Sequence, residues 1–187
     1  MSKTTSNDLR KTYSGIFGNQ VNLKNRNRQS VMTMPPVKQV KPPTEKQVEV
    51  RKQFLLAVAY AKLVMQDPSL LAAYAARARK GMGPYRLAVT DYLNPPFVSK
   101  IDASHYHGNA GETIRVTAGD NFTLASVEIK IVAADGSTIE EGVCIFSLPS
   151  GNYAYVTTVG APATAGVTIN ATALDLPGHT AELSITL

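Results

Sequence analysis

The residues best suited to acid–base, metal or nucleophilic chemistry near neutral pH are three histidines and one cysteine. Two of the histidines fall in Asp102-Ala103-Ser104-His105-Tyr106-His107-Gly108. Side chains alternate along a strand, so His105 and His107 would point to one side there and, with Asp102, offer ligands to one cation. A third firm ligand would have to come from elsewhere in the chain, so these three residues are the metal candidates, and neither a metal nor a cofactor is expected. His179 completes the near-neutral acid–base inventory, and no Ser or Cys lies in a nucleophile elbow. No catalytic residue follows from this, and the chain reads as non-enzymatic. Gly15-Ile16-Phe17-Gly18 and Gly81-Met82-Gly83 lack the Lys-Ser/Thr of a phosphate loop. Cys144 has no partner for an internal disulfide and sits in the apolar run Val143-Cys144-Ile145-Phe146, where a buried small hydrophobe is expected.

The elements that would carry such residues are organised around Asp91-Tyr92-Leu93-Asn94-Pro95-Pro96-Phe97, where the sequence changes character. Residues 1–100 hold 17 Lys/Arg against 5 Asp/Glu, whereas 101–187 hold 2 against 9, so the net charge of +5 joins a basic part to an acidic one. A basic half of this size invites a polyanion, an acidic partner surface or the acidic half of another copy. No stretch approaches the roughly 18 to 20 apolar residues of a membrane span, so no membrane insertion is expected. Met1–Asp8 shows no secretory pattern, so the expected location is the cytoplasm or a particle released without a signal peptide.

Residues 1–43 read as a basic, proline-containing arm with too few large apolar side chains to offset its ordering entropy alone. Imperfect period-two patterns at 18–24 and 29–34 flank Asn25-Arg26-Asn27-Arg28 and predict a hairpin. Residues 44–94 read as a short bundle of about three helices. Thr44 and Gln47 form a capping box ahead of the first helix, over 45–66. In it Val50, Phe54, Ala57, Val58, Ala61, Val64 and Met65 share an arc of about 120°, while Leu56, Tyr60 and Leu63 form a second apolar stripe. Asp67-Pro68 starts a second helix, with Arg77, Arg79 and Lys80 in its last turn and Gly81 as its stop. Gly83-Pro84 starts a third, which Pro95 and Pro96 terminate while keeping the helices and the following part from merging into one core.

From residue 95 to 187 the apolar period becomes two. Ile114/Val116/Ala118 and Val127/Ile129/Ile131 alternate with polar residues, Asp135-Gly136 marks a hairpin, and further strands fall at 143–148, 153–159, 167–173 and 183–187. With a strand over 97–102, about seven strands predict an all-β sandwich. The fold class is therefore α+β in sequence order: arm, helices, sandwich.

The block Ala173-Leu174-Asp175-Leu176-Pro177-Gly178-His179-Thr180-Ala181 resembles the last hairpin of bacterial immunoglobulin-like domains, with His179 where an Asn is usual. Thr44 to Phe54, Tyr60-Ala61-Lys62, Asp67-Pro68, Tyr74, Asp91-Tyr92 and Pro95-Pro96 ahead of such a domain are similar to uncharacterised bacterial and phage-associated two-part proteins. The resemblance implies an immunoglobulin-like sandwich and no catalytic residues, and the fold by itself fixes no function.

The expected function is that of a structural or interaction protein whose basic arm and helices dock onto copies of itself or other proteins of a larger assembly. Arg26, Arg28, Lys38 and Lys41 would supply charge, and Leu56, Tyr60 and Leu63 apolar contact. Two alternatives remain open. One is nucleic-acid binding through the basic half, whose affinity would fall with salt. The other is carbohydrate or surface adhesion by the sandwich through Tyr153 and Tyr155.

Overall fold

The computed structural model describes residues 14–26, 29–37, 41–79, 81–148, 150–161 and 164–187. Among them are three helices and eleven strands in three antiparallel sheets. Compactness divides the chain into Met1–Val50 and Arg51–Leu187.

In the first unit β1 (Gly15–Phe17), β2 (Val21–Arg26) and β3 (Gln29–Thr33) form a three-stranded meander. The expected hairpin is β2 and β3, paired from Asn22 opposite Thr33 to Arg26 opposite Gln29. Strand β1 is an addition, and with it the chain order begins with strands rather than with an extended arm leading into helices. The local cause is the reversal after Phe17: Gly18 and Asn19 both take φ of 54°, and Gln20 N–H donates to Phe17 C=O at 3.1 Å, which turns Gly15–Phe17 back along β2. Glycine adopts that conformation freely and asparagine tolerates it. Of the side chains described in this unit, Asn22 alone is buried.

Helix α1 (Glu45–Gln66) starts at the expected capping box: Thr44 N–H donates to Gln47 Oε1 at 3.2 Å, and Gln47 N–H to Thr44 Oγ1 at 3.4 Å. Helix α2 (Pro68–Ala76) is capped by Asp67, whose carboxylate accepts from Ser69 and Leu70 N–H. It ends earlier than expected, with Arg77 as C-cap. Gly81 instead takes φ 85° in a tight reversal in which Arg79 and Met82 exchange backbone hydrogen bonds of 3.1 and 2.8 Å. Helix α3 (Pro84–Tyr92) follows Gly83 and stops ahead of the two prolines.

Two four-stranded sheets make the β-sandwich-like part. One has β4 (Phe97–Asp102), β5 (Thr113–Gly119), β9 (Asn152–Val156) and β8 (Ile145–Ser147) in that order. The other runs β11 (Thr180–Thr186), β10 (Thr168–Asp175), β6 (Leu124–Val132), β7 (Thr138–Val143). Their inner faces carry the alternation read from sequence: Ile101, Ile114, Val116 and Tyr155 from one sheet meet Val127, Ile129, Ile131, Ile169, Ala171 and Ala173 from the other. The stretch 143–148, expected as one strand, is split. Val143 ends β7 beside β6, and Ile145 begins β8 beside β9. Cys144 is the crossing point, its N–H bonded to Val127 C=O at 2.7 Å and its side chain buried as expected. Burial pushes its thiol up to about 12.

The helices do not stand apart from the sandwich. Their small core of Ala61, Val64, Tyr74 and Ala88 is completed by Phe122 and Leu176, which come from the β5–β6 and β10–β11 connections. Phe122 stacks on Tyr74 with ring centroids 4.4 Å apart. A core this poor in large side chains cannot close on itself, so the proline pair ends α3 without isolating it.

The two sheets are also tied at one edge by a buried carboxylate. Glu140 on β7 accepts from Tyr155 Oη of β9 at 2.8 Å, from Thr158 N–H and Oγ1 at 2.7 and 2.6 Å, and from Val159 N–H at 3.3 Å. Gly142 leaves the space Tyr155 needs, since a Cβ there would lie 2.7 Å from its ring. Burial by itself would raise the Glu140 pKa, but these donors together hold it below the usual value. A lowered native pKa contributes stability above the unfolded carboxyl's range and loses it as pH falls. Glu140→Ala is expected to lower the unfolding free energy by about 1–3 kcal/mol at pH 7, and the difference from wild type should shrink on acidification, as read by urea denaturation.

Candidate interaction surface

Helix α1 buries one narrow stripe. Ala57, Ala61 and Val64 recur at i, i+4 and i+7 and are fully buried. Phe54 (50 % exposed), Leu55 (67 %), Leu56 (48 %) and Leu63 (62 %) are left largely open. Roughly half of the 1.5–3 kcal/mol that burying each such side chain is worth therefore remains unrealised. Arg51, Lys52 and Lys62 are exposed on the same helix, so its surface is both apolar and basic.

Tyr60, expected with Leu56 and Leu63 on an outer stripe, is half-buried. At about 100° per residue it lies about 40° from Val64 and on the core side of both leucines, near enough for a long side chain to turn inward. Its ring meets Tyr92 at 5.5 Å, and its hydroxyl lies 3.0 Å from that of Tyr74. Tyr74 donates its one hydroxyl proton to Asp91 Oδ2 on α3, so Tyr60 is the donor to Tyr74. Burial, with the Asp91 hydrogen bond adding to it, pushes the Tyr74 phenol far up, and it stays protonated. A hydrogen-bonded chain thus runs from α1 through α2 to α3 and holds α1 in place.

The other sequence candidates are dispersed. Lys41 is exposed just ahead of α1, Arg26 ends β2, and Arg28 and Lys38 lie outside the described residues. His105 and His107 fall in a turn after β4 has ended at Asp102, not on a strand, and both are exposed while Tyr106 between them is buried. His107 Nδ1 is 3.3 Å from Glu112 Oε1, and Asp102 accepts from Ser104 N–H at 3.1 Å. Glu112 is held down at about 2, first by the Asn109 side chain and then by the His107 N–H. Among the described residues no group of three or more His, Cys, Asp or Glu is placed to hold a metal. Tyr153 is half-buried and Tyr155 buried, so neither presents an exposed ring.

Sequence reasoning placed Phe54 on the same arc as Ala57 and missed that only the C-terminal part of that arc finds a partner surface. It also missed the turn after β5, where Asp120 Oδ2 accepts from Phe122 and Thr123 N–H, each at 3.0 Å, and so aims Phe122 at the helices. The signal was present as an Asp two and three residues ahead of the bonded amides. Beside Phe122 an open cleft of about 750 Å³ is lined by Ala76, Arg77, Arg79, Met82, Thr90 and Asn121, among others. The Arg77 guanidinium donates to Phe122 C=O and lies 4.7 Å from the ring centroid, so it serves as part of the wall.

No protein-family model and no curated protein sequence matches the chain. Among solved structures, it is similar to CopC from Methylosinus trichosporium OB3b (16% identity, TM-score 0.35, covering 48% of this chain and 87% of that one). It is also similar to a conjugative transposon lipoprotein from Bacteroides eggerthii DSM 20697 (11% identity, TM-score 0.28, covering 49% and 94%).

The hydroxyl of Tyr74 serves two bonds, so Tyr74→Phe leaves both Asp91 and Tyr60 short of a partner. That variant is expected to lose about 1–3 kcal/mol of unfolding free energy, and Tyr60→Phe, at the end of the chain, less. Urea denaturation of the two variants side by side checks the order.

Proposed function

We propose that this is a non-enzymatic structural protein that assembles with further copies of itself through α1 and the basic arm, presenting an immunoglobulin-like sandwich. The observation that carries the reading is the exposure of Leu56 and Leu63, two turns apart on one face of α1 and flanked by Leu55, on a helix whose opposite face is anchored. Contiguous exposed apolar surface rimmed by polar residues marks an interaction site. Another copy is the occupant that the charges favour, because the lysines and arginines around these side chains match the acidic residues 101–187 of the same sequence. The arm supplies a second unsatisfied surface, with Ile16, Val31 and Met32 exposed on a sheet that buries no apolar side chain among those described. In this reading the apolar side chains give affinity and the basic-to-acidic contacts give register. The immunoglobulin-like reading rests on strand order: β4-β5-β9-β8 against β11-β10-β6-β7 corresponds to the A-B-E-D and G-F-C-C′ sheets of that fold.

Leu56→Glu/Leu63→Glu changes two exposed positions and is expected to leave the fold intact while abolishing self-association in sedimentation velocity. A wild-type chain that stays monomeric at high concentration would contradict the proposal. Native mass measured before and after nuclease treatment separates the nucleic-acid reading, which requires bound mass that nuclease removes.

A further inference from the structure

The Asp91 carboxyl, 1 % exposed, sits where the three helices meet the turn after β5. Its Oδ2 is taken by Tyr74, and its Oδ1 is buried with no other donor within reach. Asp120 mirrors this arrangement: Oδ2 accepts from Phe122 and Thr123 N–H, and Oδ1 is buried and unpartnered. The Asn121 side chain, next to Asp120, donates to Thr90 C=O, next to Asp91, at 3.3 Å, which brings the two unpartnered oxygens onto facing segments where they can meet. Two carboxylates have acceptors only, so that contact is a bond only if one of them carries a proton.

The groups that bear on Asp91 are neutral or acidic, and the Arg77 guanidinium is engaged with Phe122 C=O on the same turn as Asp120. Tyr60 on α1 and Tyr74 on α2 are phenols, and Asp175 at the end of β10 adds negative charge. Asp175 is itself engaged with His179, whose N–H and Nδ1 lie 2.6 and 2.9 Å from its two oxygens. Among the described residues no Lys, Arg or His forms an ion pair with Asp91 or Asp120.

We infer that Asp91 and Asp120 share one proton, and that this proton is a latch between the helices and the sandwich that opens when it is lost. With the proton in place, α3 is bonded to the turn that aims Phe122 into the helical core. Without it, two negative charges face each other in a buried site and the turn is pushed away. Burial first, then the negative charges of Asp120 and Asp175, push Asp91 up to about 7, although the Tyr74 hydrogen bond opposes the rise. The sign follows from linkage. The native state binds a proton that the unfolded chain has lost above about pH 4, so stability falls as pH rises from there through about 7 and levels off above it.

The test compares folding equilibrium constants from urea denaturation at pH 5 to 8.5 for wild type, Asp91→Asn and Asp120→Asn. An amide in place of either carboxyl donates permanently, as the protonated acid does. Relative to either variant, wild type is expected to lose stability with rising pH at up to about tenfold in the folding constant per pH unit. Contributions from groups remote from the pair are common to all three proteins and cancel. If one variant does not fold, the other supplies the comparison, and carboxyl-carbon NMR of wild type reads the pair directly. One aspartate titrating near neutral pH is expected, and all aspartates titrating below about pH 5 would overturn the latch. So would parallel pH profiles for wild type and the variants, or stabilisation of wild type at pH 8 by calcium or magnesium that either variant abolishes, which would make the pair a cation site.

Discussion

The helical part of the larger unit is shaped by one shortage: α1 has more apolar surface than its neighbours can cover. The helical core fully buries only Ala61 and Ala88 beside Val64 and Tyr74, with Tyr60, Met65, Leu70, Leu87 and Val89 partly buried around them. A core of that size cannot hold three helices by area alone. Two other things make up the difference: Phe122 and Leu176, delivered by loops of the sandwich, and the hydrogen-bonded chain Tyr60–Tyr74–Asp91. Both act on the inner side of α1, and neither reaches Phe54, Leu55, Leu56 or Leu63.

The polar chain has a cost that shapes its behaviour. Buried hydrogen bonds of this kind stabilise only while each member is satisfied, and an unpaired member costs more than the bond gave. Asp91 is the member with an oxygen to spare, and Asp120 is the group placed against it. The contact that fixes the orientation of the helices on the sandwich is therefore also the one most exposed to protonation state. Glu140 is the contrasting case in the same molecule, a buried carboxylate with enough donors to remain charged. Two carboxylates with opposite pKa directions follow from the number of donors that reach each.

What the sequence made legible was local. Thr44 with Gln47, Asp67 with Pro68, and Asp135 with Gly136 are signals whose partners lie within a few residues, and each forms the cap or turn it predicts. The alternation at Ile114/Val116 and Val127/Ile129/Ile131 is likewise set by strand geometry alone. What stayed illegible depends on residues far apart in the chain. Nothing near Tyr74 announces Phe122, and nothing near Tyr92 announces the His179 ring that meets it edge-on at 4.7 Å. Helical periodicity grouped Tyr60 with two leucines because it measures angle without knowing where the partner surface lies. The continuous apolar run around Cys144 hid a change of sheet, because Val143 and Ile145 on either side of the crossing are exposed yet apolar, so no polar residue marks it. For the candidate surface, helical periodicity singled out Leu56 and Leu63, whereas the exposure of Phe54 and Leu55 depends on which faces of α1 find a partner in the fold.

Whether another copy of the chain covers the outer face of α1 is tested most directly by amide hydrogen exchange across a concentration series. Amides of Arg51–Ala59 are predicted to gain protection as concentration rises, while those of β6 and β10 in the sandwich core stay unchanged. Exchange in α1 that is independent of concentration would contradict self-association through that face.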